Sequence, residues 1–160
     1  IRVPLIARWP GRIAAGETSE QVWAFWDFLP MMAELVQRPV PQGLDGISVL
    51  PALLDRKPIA HPPLYWEFHE RGFDQAARID DWKVVRIGVK SRLELYDLRQ
   101  DPGESRNVAA EHPEVVTKFE NYLLTARVDS ALWPIREKSP RPARVKQSQA
   151  VQNAPVEGAK

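Results

Sequence analysis

The sequence predicts an α+β fold: a small antiparallel sheet covered by a C-terminal helix, with one strand and one helix near the start that belong to a larger sheet. Three observations carry this prediction. Short β-forming runs separated by turns follow one another between residues 64 and 98. Apolar residues recur at helical spacing after Pro113, and an unbroken apolar run, Leu5-Ile6-Ala7, stands between prolines. At 160 residues the chain is long enough for one domain to build a core.

Taken in order, "VPLIARWP" fits a short strand buried on both faces, which needs neighbours in a sheet. "GRIAAGETSE" is a turn-rich connection. In "VWAFWDFLPMMAELV", Asp27 is placed to cap a helix, Pro30 falls in its first turn, and Met31, Met32, Leu35 and Val36 supply an inward face. Eight Pro and Gly residues between 37 and 63 make an irregular connection, with at most a helical turn around Leu50 to Leu54. "LYWEF", two extended runs around the Asp80-Asp81 corner in "AARIDDWKVVRI", and "RLELYDL" then read as an antiparallel meander. Its cover is a helix over 113–128, opened by Pro113 and Glu114, with Val115, Val116, Phe119, Tyr122, Leu123 and Ala126 facing inward. Burying four or five of these contributes about 8 kcal/mol before entropy, at about 2 kcal/mol each.

The division that follows is 1–60, strand, helix and irregular connection; 61–130, strands and helix; and 131–160, a basic, disordered tail. From Trp133 onward six Lys or Arg face two Glu, whereas the body is mildly acidic. Trp133 is the tail's one aromatic, so a solvated tail is expected rather than a nucleic-acid contact. No apolar run approaches the roughly 20 residues of a membrane span. The absence of Cys removes disulfides, thiolate metal sites and thiol nucleophiles. Opening at Ile1 in an apolar stretch, the sequence is expected of a chain cut from something longer.

Four acidic residues and an Asn in "ELYDLRQDPGESRN" raise the question of a calcium loop. Counted from Asp97, the sixth position is Pro102 and the twelfth Val108, where an EF-hand requires Gly and Glu. The stretch reads instead as a corner, with Asp97 ending a strand, Asp101-Pro102-Gly103 turning, and Glu104 and Asn107 satisfying backbone donors. His69 lies between Glu67 and Glu70 and near Arg71, where a strand gives way to a Gly-containing loop, a place from which scaffolds present polar groups to ligands. His61 and His112 each precede Pro and read as turn or cap residues. Ser19, Ser48, Ser91 and Ser105 are the candidate nucleophiles, and none lies in a Gly-x-Ser-x-Gly turn.

Six segments in order, "IRVPLIARWPGRI", "FWDFLPMMAEL", "LDGISVLPALL", "YWEFHE", "DWKVVR" and "ELYDLRQDPGESRNVAAEHPEV", resemble the C-terminal part of formylglycine-dependent sulfatases of the arylsulfatase type, in the alkaline-phosphatase-like superfamily. The resemblance covers residues 1 to about 128. Met31 replaces a usual Thr, Gln37 or Arg38 stands where a Gly commonly ends the first helix, and Asp55 stands where a Gly often follows "LPALL".

The resemblance implies an α/β parent that hydrolyses sulfate esters of a small molecule or glycan, by attack of a hydrated formylglycine on sulfur. Calcium is the implied cofactor of the parent, with none bound by this piece, and the implied partner is a missing N-terminal catalytic domain. A periplasmic or secreted parent is also implied. Sulfate-ester cleavage requires a strong nucleophile, cations on the equatorial oxygens and an acid for the leaving group. No catalytic or metal residue carries over to this chain, which is therefore expected to be inert alone. Substrate contacts are expected from His69, Glu67, Glu70 and Arg71. Alternatives are a glycan-binding module built on "LYWEF" and His69, and a piece of a phosphonate or phosphate monoester hydrolase of the same superfamily. A complete module would have to bury Leu5, Ile6 and Ala7 within these residues.

Overall fold

The computed structural model describes residues 3–70 and 72–136. Residues 3–24 form neither helix nor strand. A 3-10 turn, Phe25–Asp27, then leads into helix α1, Phe28–Leu35, and a short helix α2 spans Leu50–Asp55. Four strands follow, β1 Leu64–Phe68, β2 Asp74–Ile79, β3 Trp82–Ile87 and β4 Glu94–Asp97, before helix α3, Pro113–Leu123. The strands form one antiparallel sheet in the order β1-β2-β3-β4, as the meander reading expects. The β2–β3 hairpin turns at Asp80-Asp81, where Asp80 adopts φ 54°. That left-handed conformation is tolerated best by Gly, Asn and Asp.

One face of the sheet is the main core. Ala77, Val84 and Leu95 are fully buried there, and Phe119 and Leu123 of α3 lie over them. The helix expected over 113–128 ends at Leu123, and turns follow. Beyond Leu123 the pattern turns outward: Leu124 is 81% exposed and Val128 89%. A continued helix would have presented that surface to water without a sheet beneath it.

A second cluster gathers Met31, Val49 and Leu50 from α1 and its surroundings, with Trp23, Met32 and Leu35 against it. Val36, expected inward, is 62% exposed, because α1 ends before it. Gln37 follows in a left-handed conformation at φ 55°, and Arg56 does the same after α2 at φ 57°. Both helices therefore end in the backbone state that Gly reaches without strain, at or next to the positions where the resemblance leads one to look for Gly. Trp26 stacks at an angle on Trp66 of β1, ring centroids 5.8 Å apart, and ties the Phe25–Asp27 turn to the sheet.

The strand expected at Leu5-Ile6-Ala7 is not formed. Residues 3–9 pair with no neighbour, and Leu5 is 56% and Ile6 94% exposed. A strand needs a partner for its N–H and C=O groups, and no described strand pairs with this segment.

The acidic corner is structural, as its spacing indicates. Asp97 Oδ1 accepts from the Arg99 and Gln100 N–H groups, and Asp101 Oδ2 from those of Ser105 and Arg106. Asn107 Oδ1 accepts from the Leu95 and Ala109 N–H groups, tying the corner to β4. The Arg106 N–H above all, aided by Ser105, holds the Asp101 carboxyl below its ordinary range. Glu104 behaves differently from expectation: it receives the buried Lys83 ammonium of β3 rather than a backbone donor. A cation taken from water requires a counter-charge, and this carboxylate supplies it.

Candidate functional site

The site grows out of the sheet register. Tyr65, Ala77 and Val84 stand opposite one another across three strands, and one step of two residues further stand Glu67, Gln75 and Arg86. Side chains two residues apart share a face, so the face that is apolar beneath α3 turns polar at its end. The change coincides with the end of α3. There Arg127, from the segment after the helix, comes down over the polar row.

A continuous set of contacts links these groups. Arg86 donates to Gln75 Oε1 at 3.3 Å, the Gln75 amide donates to the Tyr65 hydroxyl at 2.8 Å, and that hydroxyl donates to Glu67 Oε1 at 2.8 Å. Burial, more than any other cause, pushes the Tyr65 hydroxyl well above its ordinary range, so it stays a phenol and a donor. Arg127 Nε makes an ion-pair contact with Glu67 Oε1 at 2.9 Å, and its side chain is 9% exposed. The Arg127 guanidinium also donates to Asp129 and to the Trp133 carbonyl, and lies 5.6 Å from the centre of the Phe73 ring.

His69 Nε2 is 2.8 Å from Glu67 Oε2. A carboxylate only accepts, so Nε2 carries the proton and Nδ1 is the nitrogen left for another partner. The imidazole rests between Phe73 and Trp133, at centroid distances of 5.3 and 5.7 Å. Beside it opens a groove of about 510 Å³, bounded by Glu67, Phe68, His69 and Glu70 on the strand side and by Arg127, Val128, Ser130 and Trp133 on the other.

Of the four residues singled out from the sequence, Glu67 and His69 are thus directly bonded, Glu70 is exposed on the groove wall, and Arg71 lies outside the described residues. Sequence reasoning missed Arg127, Trp133 and Tyr65. Tyr65 alone had a local signal, two residues from Glu67 on the same strand face. The basic tail lies outside the described residues beyond Arg136.

A second buried charged pair stands away from the groove. Asp27, fully buried, accepts from the Ala24 N–H at 2.6 Å, the Ile47 N–H at 3.0 Å and His61 Nε2 at 2.9 Å. The other ring nitrogen of His61 faces the Pro62 carbonyl at 2.7 Å. Both nitrogens meet acceptors, which is the pattern of an imidazolium against a carboxylate. Asp27 does occupy the N-cap position of α1, but its carboxylate makes no cap bond and binds these three segments together instead. Gly46 is part of the same closure, since a Cβ there would meet the Trp26 carbonyl oxygen.

The arrangement can hold a polar ligand against an aromatic wall, through a donor-acceptor histidine, carboxylates and a fixed guanidinium. It offers no activated nucleophile. Ser19 and Ser48 accept backbone N–H bonds, while Ser91 and Ser105 donate to Ile87 and Asp101; none is bonded to a histidine. Among the described residues no group of three or more His, Asp or Glu converges to hold a metal ion. No described helix is long and apolar enough to cross a membrane.

Comparison with known proteins identifies the family. The family model described as N-sulphoglucosamine sulphohydrolase, C-terminal, matches residues 1–129. Arylsulfatase K of Gallus gallus is 35% identical over 133 residues, covering 76% of this chain and 25% of that protein. An N-acetylgalactosamine-6-O-sulfatase of Bacteroides thetaiotaomicron is 29% identical over 138 residues, covering 76% of this chain and 26% of that protein. In fold, the chain is similar to the solved structure of BT4656 in complex with its substrate D-glucosamine-2-N,6-O-disulfate. The TM-score is 0.61 at 24% identity, over 74% of this chain and 26% of that one. The chain thus spans about a quarter of the length of these proteins.

Proposed function

Because the chain belongs to the sulfatase C-terminal family described as N-sulphoglucosamine sulphohydrolase, C-terminal, we propose that it works as the C-terminal part of a longer enzyme that hydrolyses sulfate esters. The observation that supports this most is the first apolar run. Leu5 and Ile6 are more than half exposed, which suits a strand whose sheet is completed by other residues and counts against a self-sufficient glycan-binding module. In this reading residues 1–60 complete the catalytic α/β domain, 61–130 form the C-terminal subdomain, and 131–160 are its basic extension.

The chemical step is assigned to the rest of the enzyme. The family resemblance implies a formylglycine nucleophile and calcium. The described residues do not fit calcium, since no carboxylate cluster converges among them, and the chain has no Cys. What this chain supplies is the outer wall of the substrate pocket. His69 meets the ligand through Nδ1, Glu67 holds the imidazole in that orientation, Trp133 offers a stacking face, Glu70 contacts polar groups at the rim, and Arg71 is a further substrate contact. The relatives' names and the bound disulfate of the neighbouring fold favour a sulfated sugar as the substrate. Sugars suit such a wall because their C–H faces stack on aromatic rings while their hydroxyls bond to carboxylates and imidazole.

The test is His69→Ala in the full-length protein, assayed for sulfate release from a sulfated hexosamine. Loss of one buried hydrogen bond to the ligand should raise KM about tenfold, with a smaller change in kcat. An unmoved KM would contradict the assignment.

A further inference from the structure

On the far side of Arg127 from the His69 groove lies a second hollow, of about 330 Å³, lined among others by Phe73, Gln75, Arg86, Leu123 and Arg127. Its distinguishing group is Arg86. This guanidinium ends the polar row of the sheet, and one of its nitrogens donates to Gln75 Oε1. Its Nε is buried and, like that of Arg127, has no hydrogen-bond partner among the described residues, but Arg127 Nε lies against the Glu67 carboxylate whereas Arg86 Nε has no such counter-charge. Glu67 and Asp129 pair with Arg127, the other cation of the hollow; Asp129 also lines the hollow, and Arg86 makes no ion pair with either among the described residues.

A permanently charged guanidinium with a buried, unmet N–H is costly to maintain unless something completes it. An oxyanion is the natural complement, because the guanidinium edge matches carboxylate and sulfate geometry. The rest of the lining is mixed, with Phe73, Leu123 and Ile135 apolar and Gln75, Arg127 and Asp129 polar, so the complete ligand carries a hydrophobic face and hydroxyls next to its anionic group.

We propose that Arg86 forms a second, anion-accepting subsite that binds a sulfate or carboxylate substituent on a ligand spanning the Arg127 wall from the His69 groove. This rests on the reading of the groove as a sugar pocket for the identity of the ligand, but the anion site itself rests on Arg86 and its hollow. It makes the preferred ligand a saccharide with at least two anionic substituents.

The test observes the arginine Nε–H resonances of the 160-residue chain by NMR during titration with sodium sulfate, against sodium chloride at matched ionic strength. The Arg86 Nε–H should shift saturably with sulfate and not with chloride. Binding of a disulfated hexosamine disaccharide should weaken about tenfold in Arg86→Gln, as expected for one charge-assisted contact. Arg86→Lys, which keeps the charge, should recover part of this, and Arg12→Gln, at a remote exposed position, should bind as wild type. Equal response to both salts, or Arg86→Gln binding as tightly as wild type with a native thermal transition, would overturn the subsite. Loss of binding in Arg86→Gln and Arg12→Gln alike would overturn it too, as a general charge effect. Binding through Arg86 with no sulfate release by the full-length protein would uphold the subsite and sink the hydrolase reading. Sulfate release with no dependence on Arg86 would do the reverse.

Discussion

Replacing Asp27 with Asn should be among the most damaging single changes in the N-terminal half. The carboxylate is fully buried and receives three donors, from Ala24, Ile47 and His61. An amide keeps one accepting oxygen, and its NH2 must face a group that also donates. The ion pair with His61 is lost at the same time. Breaking a buried pair by neutralising one partner costs about 3–5 kcal/mol. Against a domain stability of roughly 5–15 kcal/mol, that is a fifth or more of the total. The assay is urea unfolding followed by tryptophan fluorescence, applied to Asp27→Asn, His61→Gln and the double variant. Coupling should appear as a double variant less destabilised than the sum of the singles by more than about 1 kcal/mol. A cost below about 1 kcal/mol for Asp27→Asn, or strict additivity, would refute the account of this residue as a three-way tie.

Phe119→Ala should cost about 3–5 kcal/mol, because the ring is 1% exposed over the sheet, whereas Leu124→Ala, at an 81% exposed position, should stay within about 0.5 kcal/mol by the same unfolding assay. Asp101 should titrate below an ordinary aspartate when followed by carboxyl carbon NMR, since the Arg106 N–H and then Ser105 favour its charged form. A folded-state value that is lowered gives stability present above the unfolded value, about pH 4, and lost as the pH falls through the folded one. Asp101→Asn should therefore flatten that part of the acid limb, and an Asp101 midpoint at or above the ordinary value would contradict the turn's electrostatics.

Features written locally were legible, and features made by distant partners were not. Alternation in "RLELYDL" placed Leu93 and Leu95 in the core, and Pro113 marked the first residue of α3. The corner at Asp80-Asp81 announced the β2–β3 turn through the residue types that tolerate its backbone. His61 read as a turn residue because its partner, Asp27, lies 34 positions earlier, and nothing near either one signals the other. Glu104 was misread for the same reason, with Lys83 lying 21 positions away on β3. In the groove, His69 and Glu67 were legible as neighbours on one strand end. Arg127 and Trp133 were not, because they reach the groove only after α3 has ended and the chain has turned back across the sheet. The apolar run at Leu5 was read for its burial pattern, but a strand is a property of a pair, and the described residues supply no second member.

The central claim is that this chain shapes the pocket of a sulfate-ester hydrolase without carrying its nucleophile. Release of 4-nitrophenol from 4-nitrophenyl sulfate, followed with calcium present for the 160-residue chain and for the full-length protein side by side, tests it most directly. The account predicts turnover by the full-length protein and none above buffer for the chain alone. Turnover by the chain alone, or its absence from both, would contradict it.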